Sequence, residues 1–133
     1  MARPEQVLHK AVAGFLRVAL RPPTLWTTFP SGGGGLIRGA QLKALGLARG
    51  WPDLLIMHPA KDGGGPIVIG LELKAKAGRV SPDQKLVMQG FADCRAWYVL
   101  ARSVDEVESG LCYIGVPLHA SVQGSPYGER SAA

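Results

Sequence analysis

The sequence predicts a single α/β domain in which a mixed sheet of about four strands is flanked by α-helices. Three observations carry this. Apolar residues recur with helical period in some stretches and gather in short β-branched or aromatic runs in others. Helical and extended stretches follow one another in the order α, β, α, β, β, α, β, α, which places helices around a sheet. The chain has 133 residues, 47% of them apolar, which suits one packed core and leaves little room for a second domain.

Pro4 suits the first turn of a helix, and the residues after it keep a helical period until Arg21-Pro22-Pro23 breaks it. At about 100° per residue, Leu8, Val12, Phe15, Leu16 and Ala19 share one face, with Arg3, Lys10, Arg17 and Arg21 nearly opposite. Glu5 stands apart from those charges, at the margin of the apolar face. Thr24 to Phe29 is β-branched and aromatic, a short strand. Pro30 to Gly35 is a glycine-rich loop, and a second helix spans about Ile37 to Leu45, stopped by Gly46.

Gly50-Trp51-Pro52 turns the chain into an apolar strand, Asp53 to Met57, and the glycines between Pro59 and Pro66 connect it to a third strand, Ile67 to Lys74. Ser81-Pro82-Asp83-Gln84 opens a helix expected to reach about Gly90. Ala96 to Ala101 is the fourth strand. Ser103-Val104-Asp105-Glu106 opens a short last helix ending near Gly110. From about Pro117 the composition turns to Ser, Gly and Pro, dividing the chain into a domain of residues 1–116 and a loose tail, 117–133.

Fifteen Lys and Arg against ten Asp and Glu give a net charge of +5, a slight tilt toward a nucleic-acid partner. Cys94 and Cys112 are isolated, with no spacing that suggests a disulfide framework or structural zinc, which points to a reducing compartment. Glu5, His9, Lys10 and Arg17 interrupt the N-terminal apolar residues, so neither a signal peptide nor a membrane span is read there, and the expected address is the cytoplasm.

Asp53 and Glu72 carry the chemistry. Each is a carboxylate set in an otherwise apolar strand, and a lone buried carboxylate costs several kcal/mol unless it is paired or binds a metal. On neighbouring strands the two can meet at one sheet edge and offer the hard oxygen ligands that Mg²⁺ requires. Glu72 and Lys74 share a face because strands have a period of two, which brings the ammonium near a scissile phosphate or its attacking water. Taken singly, the same residues also read as a turn aspartate after Pro52 and a surface Glu–Lys pair.

The combination is more specific. Pro52-Asp53 on one strand and Glu72-Leu73-Lys74 on the next form a PD-(D/E)XK pattern. With Gly50-Trp51-Pro52-Asp53-Leu54, Leu71-Glu72-Leu73-Lys74, Gly78-Arg79-Val80-Ser81-Pro82-Asp83-Gln84 and Arg102-Ser103-Val104-Asp105-Glu106, the chain resembles the virus-type replication–repair nuclease (VRR-NUC) domain over about residues 4 to 112. Pro30-Ser31-Gly32-Gly33 and the helical Glu5 also fit, although relatives often carry Asn at the position of Ser31. The resemblance implies a restriction-endonuclease-like core, hydrolysis of DNA phosphodiesters with Mg²⁺ or Mn²⁺, and the Leu73 carbonyl as a further metal ligand. It also implies a homodimer acting on junction DNA and a phage or bacterial setting.

Two positions have competing readings. Gln84 lies on the inward face of its helix with Val87, Met88 and Phe91, where its amide could orient a water or phosphate; it could equally complete a capping box with Ser81. Glu5 could deliver a third carboxylate to the metal or simply favour its helix N-terminus. Arg38, Lys43, Lys76 and Arg79 flank the loops as candidate phosphate contacts, as does Arg49, each against the alternative of solvated surface charge. His9, His58 and His119 are too scattered for a zinc site. His58 ends the Asp53 strand and is expected on the surface, and Trp26, Trp51 and Trp97 are expected in the core. The rival to a nuclease is a structure-specific DNA-binding module that does not cut alone and acts with a helicase or partner subunit.

Overall fold

Four strands form one mixed sheet in the computed structural model, which describes residues 3–29 and 35–122. The chain runs through α1 (Pro4–Ala19), β1 (Leu25–Thr28), α2 (Gly35–Ala44), β2 (Leu54–His58), β3 (Ile67–Leu73), α3 (Pro82–Asp93), β4 (Trp97–Ala101) and α4 (Val104–Ile114). The sheet order is β1-β2-β3-β4: β1, β2 and β3 are joined antiparallel, and β4 lies parallel to β3 after the crossover through α3. The expected α/β class and element order therefore hold. The glycine-rich stretch 30–34, with Ser31, and the tail residues 123–133 lie outside the described residues.

Strand parity builds the core. Leu54 and Ile56 of β2 and Ile69, Leu71 and Leu73 of β3 point to one face, where they pack with Val12, Leu16 and Ala19 of α1 and Val107 and Leu111 of α4. The alternate residues, Gly70 and Glu72, face α3 instead. At Gly70 an added Cβ would lie 2.6 Å from both the Phe91 ring and Pro52, so the missing side chain lets α3 close onto the sheet. Burial of this apolar set, at roughly 25 cal/mol per Å², is the main favourable term.

Several boundaries differ from expectation, each for a physical reason. Gly110 does not stop α4, because it lies where the helix touches β4: a Cβ there would sit 3.1 Å from Val99 Cγ1. The helix runs on to Ile114 and ends at Gly115, in the left-handed conformation. Gly90 is likewise inside α3, which continues to Asp93 and so carries Phe91 into its buried position. Residues 117–122, expected as loose, are packed: Leu118 is buried in the core, the His119 N–H donates to the Ala19 carbonyl, and the Val122 N–H donates to Glu108.

His58 is buried, not on the surface, and shares a 2.8 Å hydrogen bond with Thr24 Oγ1 at the end of β2 remote from Asp53. Trp26 packs against the core as expected, whereas Trp51 and Trp97 stay 48% and 43% exposed. Trp51 packs edge-on against Phe29 and Phe91, and Trp97 against Tyr113. Among the described residues no helix is long and apolar enough to cross a membrane.

Candidate active site

Asp53 precedes β2, and the antiparallel register that pairs Leu54 with Leu71 places it opposite Glu72 when continued by one residue. Both carboxylates, with Lys74, therefore share the sheet face turned toward α3. The turn that delivers Asp53 depends on Gly50, whose φ of +87° favours glycine. A Cβ at Gly50 would lie 2.4 Å from the Asp83 carbonyl oxygen, so this turn sits directly on the first turn of α3. One glycine thus brings the Asp53 turn and the helix carrying Gln84 together.

Asp53 Oδ2 accepts the Leu73 N–H at 2.7 Å. In an antiparallel arrangement a residue's N–H and C=O lie on the same side of its strand, so the Leu73 carbonyl also faces the Asp53 side. Glu72 is 5% exposed. Its Oε1 accepts Gln84 Nε2 at 2.8 Å and lies 4.0 Å from Lys74 Nζ, while its Oε2 is buried without a hydrogen-bond partner. Burial, then the Asp53 charge, raise the Glu72 carboxyl from its ordinary 4.5 to about 8, with Lys74 opposing. Burial also raises Asp53, against the Leu73 N–H and His9, which lower it.

Gln84 completes the capping box and, through the other end of its amide, reaches Glu72. Its oxygen accepts the Ser81 N–H at 2.9 Å and its own N–H donates to Ser81 Oγ, the capping box, while its amide nitrogen holds Glu72. Glu5 is exposed at the start of α1, and its Oε1 lies 3.2 Å from the position of a Cβ on Gly78, beside the Lys74 stem. Its charge reaches both Asp53 and Glu72. Among the described residues no three His, Cys, Asp or Glu side chains form a metal cluster by themselves, so the convergent acidic unit is the Asp53–Glu72 pair.

Of the other cations, Lys76 and Arg79 are exposed on the segment following β3, next to the acidic pair in sequence and beside Glu5 at Gly78. Arg38 and Lys43 are exposed on α2, and no hydrogen bond or ion pair joins them to the carboxylates.

Three residues not singled out for the site have roles around it. His9 lies one helical turn after Glu5, bonds Thr28 Oγ1 at 3.1 Å and acts electrostatically on Asp53; its i+4 spacing from Glu5 was the available signal. Arg102 Nη1 donates to the carbonyls of Ala75 at 2.7 Å and Gly78 at 2.8 Å, bracing the segment that holds Lys76. Tyr98 of β4 pairs with Gly70 and so stands on the Glu72 face, a placement that only the parallel register reveals.

Compared with known proteins, the fold has clear structural counterparts. A solved VRR_NUC domain protein superposes with a TM-score of 0.64 at 20% identity, covering 87% of this chain and 92% of that one. The chain has the VRR-NUC fold. A second solved VRR_NUC domain superposes with a TM-score of 0.51 at 19% identity, over 84% of this chain and 97% of its own. No family model and no curated protein matches the sequence. The likeness of the VRR-NUC fold spans nearly the whole described chain, in agreement with the expected restriction-endonuclease-like architecture.

Proposed function

We propose that this chain is a divalent-metal-dependent endonuclease that hydrolyses DNA phosphodiester bonds, selects branched or junction DNA, and works as a homodimer in DNA repair or replication. The observation that carries this reading is the buried Oε2 of Glu72, left without a hydrogen-bond partner beside Asp53. A carboxylate oxygen in that position is costly unless a cation takes it up.

The donor set fits Mg²⁺ or Mn²⁺. Asp53, Glu72 and the Leu73 carbonyl are hard oxygen donors on adjoining strands. Glu5, whose charge reaches both carboxylates, would add a third, and such ions retain several waters of their own. Bound there, the cation would lower the pKa of a water and neutralise charge developing on the phosphate. The protein's own groups do the rest. Gln84 fixes Glu72 by its Oε1, Lys74 sets a positive charge beside the pair for the phosphate or the attacking water, and Lys76 and Arg79, with Arg38 and Lys43 on α2, grip the backbone. A two-fold junction suits two such sites related by symmetry.

The test is cleavage of labelled four-way junction, flap, duplex and single-stranded DNA with Mg²⁺, Mn²⁺ or EDTA. Cleavage should need metal and be lost in Asp53→Ala, Glu72→Ala and Lys74→Ala, each of which should remain folded. Undiminished cutting by any of these variants would overturn the assignment. Tight, metal-indifferent DNA binding without cutting would favour the binding module acting with a helicase or partner subunit.

A further inference from the structure

The metal-site reading leaves one buried polar group on the same sheet face unused. Tyr98 pairs with Gly70 in the parallel β3–β4 ladder, so its side chain leaves the sheet beside the strand position two residues from Glu72 and on the same side. Its hydroxyl is buried and has no hydrogen-bond partner. The ring is fixed edge-on against Phe91, centroids 5.6 Å apart, and Phe91 in turn rests where Gly70 has no side chain. The charges of Glu72 and Asp53 both reach the hydroxyl and, after burial, hold its ionisation well above the ordinary phenol range. It is therefore a fixed proton donor, never an anion, at neutral pH.

A buried tyrosine hydroxyl ordinarily finds a partner, and leaving one unpaired costs free energy. Here two unpaired buried oxygens, the Tyr98 hydroxyl and Glu72 Oε2, occupy one face of one sheet. The hydroxyl has a proton to donate, and Glu72, ionised when a cation is bound, has an oxygen to accept it. The neighbouring Phe91 ring supplies no polar atom to either.

Resting on the metal-site reading above, we propose that Tyr98 is a positioning residue of the acidic site: its hydroxyl donates to the water or carboxylate shell around Glu72 when a divalent cation is bound. The tyrosine touches the cation's outer shell and not the cation itself. Outer-shell partners of this type typically change metal affinity by about 10–100-fold when removed. The donor thus adds to Gln84, which holds Oε1, in orienting Glu72.

The test compares the full chain with Tyr98→Phe, using Tyr113→Phe, which removes an exposed hydroxyl, as comparator. Two quantities are read: Mn²⁺ affinity by titration calorimetry and melting temperature in EDTA. Tyr98→Phe should bind Mn²⁺ roughly tenfold more weakly, yet melt in EDTA no lower than wild type, because the metal-free protein loses only an unpaired hydroxyl. Tyr113→Phe should match wild type in both. Unchanged Mn²⁺ affinity in Tyr98→Phe, beside wild-type binding that Asp53→Ala abolishes, would overturn the role of Tyr98 alone. A lowered melting temperature in EDTA would also overturn it, by showing a merely structural hydroxyl. Absence of any carboxylate-dependent Mn²⁺ binding in wild type would overturn the metal-site reading and the Tyr98 role together.

Discussion

Gln84 Nε2 donates to Glu72 Oε1 at 2.8 Å while Gln84 Oε1 accepts the Ser81 N–H at 2.9 Å, so one amide ties the N-terminus of α3 to a site carboxylate. The helix start is in this way part of the scaffold of the candidate site. Gln84→Ala removes half of the capping box and one of the hydrogen bonds on Glu72. It should lower stability by about 1 kcal/mol and weaken Mn²⁺ binding by roughly tenfold. Denaturant unfolding in EDTA and calorimetry would check the two effects separately. Gln84→Glu should be worse for the metal-free protein, because it sets a second carboxylate against Glu72. If Gln84→Ala changed stability but left metal affinity intact, the amide would be a cap and nothing more.

The raised carboxyl of Glu72 ties stability to pH. Its ionisation in the folded chain is near 8 against an ordinary 4.5. A folded value above the unfolded one stabilises at low pH, and that contribution is lost as pH rises through about 8. The metal-free protein should therefore melt at progressively lower temperature between about pH 5 and pH 8. Saturating Mn²⁺ should reverse the loss, with release of protons on binding. Glu72→Gln, which is neutral throughout, should flatten the slope and raise the melting temperature in EDTA at pH 8 by roughly 5 °C. An equal slope in wild type and Glu72→Gln would remove Glu72 as its source.

The parts of the site that follow local periodicity were legible in the sequence. The two-residue period puts Glu72 and Lys74 on one face, and the helical period turns Gln84 inward, without reference to distant contacts. Contacts across the parallel β3–β4 ladder were not, because the crossover through α3 hides its register; Tyr98 therefore gave no signal. Glycine was misread wherever it serves close approach rather than a turn, as at Gly110 against Val99. The half-exposed Trp51 and Trp97 and the buried His58 show a related limit: burial depends on what covers each sheet face, not on residue type alone.

Gly50 should tolerate no side chain. With φ at +87° and the Asp83 carbonyl oxygen 2.4 Å from any Cβ, Gly50→Ala combines backbone strain with a clash against main chain, which cannot rotate aside. The turn and the α3 N-terminus must separate, carrying Asp53 and Gln84 apart. The expected outcome is a loss of roughly 2 kcal/mol or more in unfolding free energy together with loss of metal binding. Gly64→Ala, at a site with ample room between β2 and β3, is the comparator and should cost little. Equal behaviour of the two variants would show that the contact at Gly50 yields easily.

Arg102 braces the chain from Ala75 to Gly78 through a single guanidinium nitrogen shared among the carbonyls of Ala75, Lys76 and Gly78. Arg102→Ala should release that segment and blur the positions of Lys76 and Arg79. DNA binding measured by anisotropy should weaken several-fold, on the order of 1 kcal/mol, with Mn²⁺ affinity nearly retained. Arg102→Lys should not restore it, because a flexible ammonium lacks the planar fork. Retained DNA affinity in Arg102→Ala would place the phosphate contacts elsewhere.

Glu108 provides the sharpest test of where the domain ends. It is completely buried in α4, and its Oε2 accepts the Val122 N–H at 2.7 Å, which fastens residues 117–122 over the core beside Leu118. Glu108→Ala removes the acceptor, leaves a part-buried N–H unsatisfied and opens a cavity, a combination worth roughly 2–4 kcal/mol. Glu108→Gln retains an acceptor of the same shape and sheds a charge whose burial is costly, so it should lie within about 1 kcal/mol of wild type. The order wild type, Gln, Ala in urea unfolding follows if the hydrogen bond to Val122 is what matters. Were Gln as damaging as Ala, the charge itself would be required and the residue would need a cationic partner. Were Ala harmless, residues 117–122 would contribute nothing to the fold, and the domain would end where composition alone had placed it.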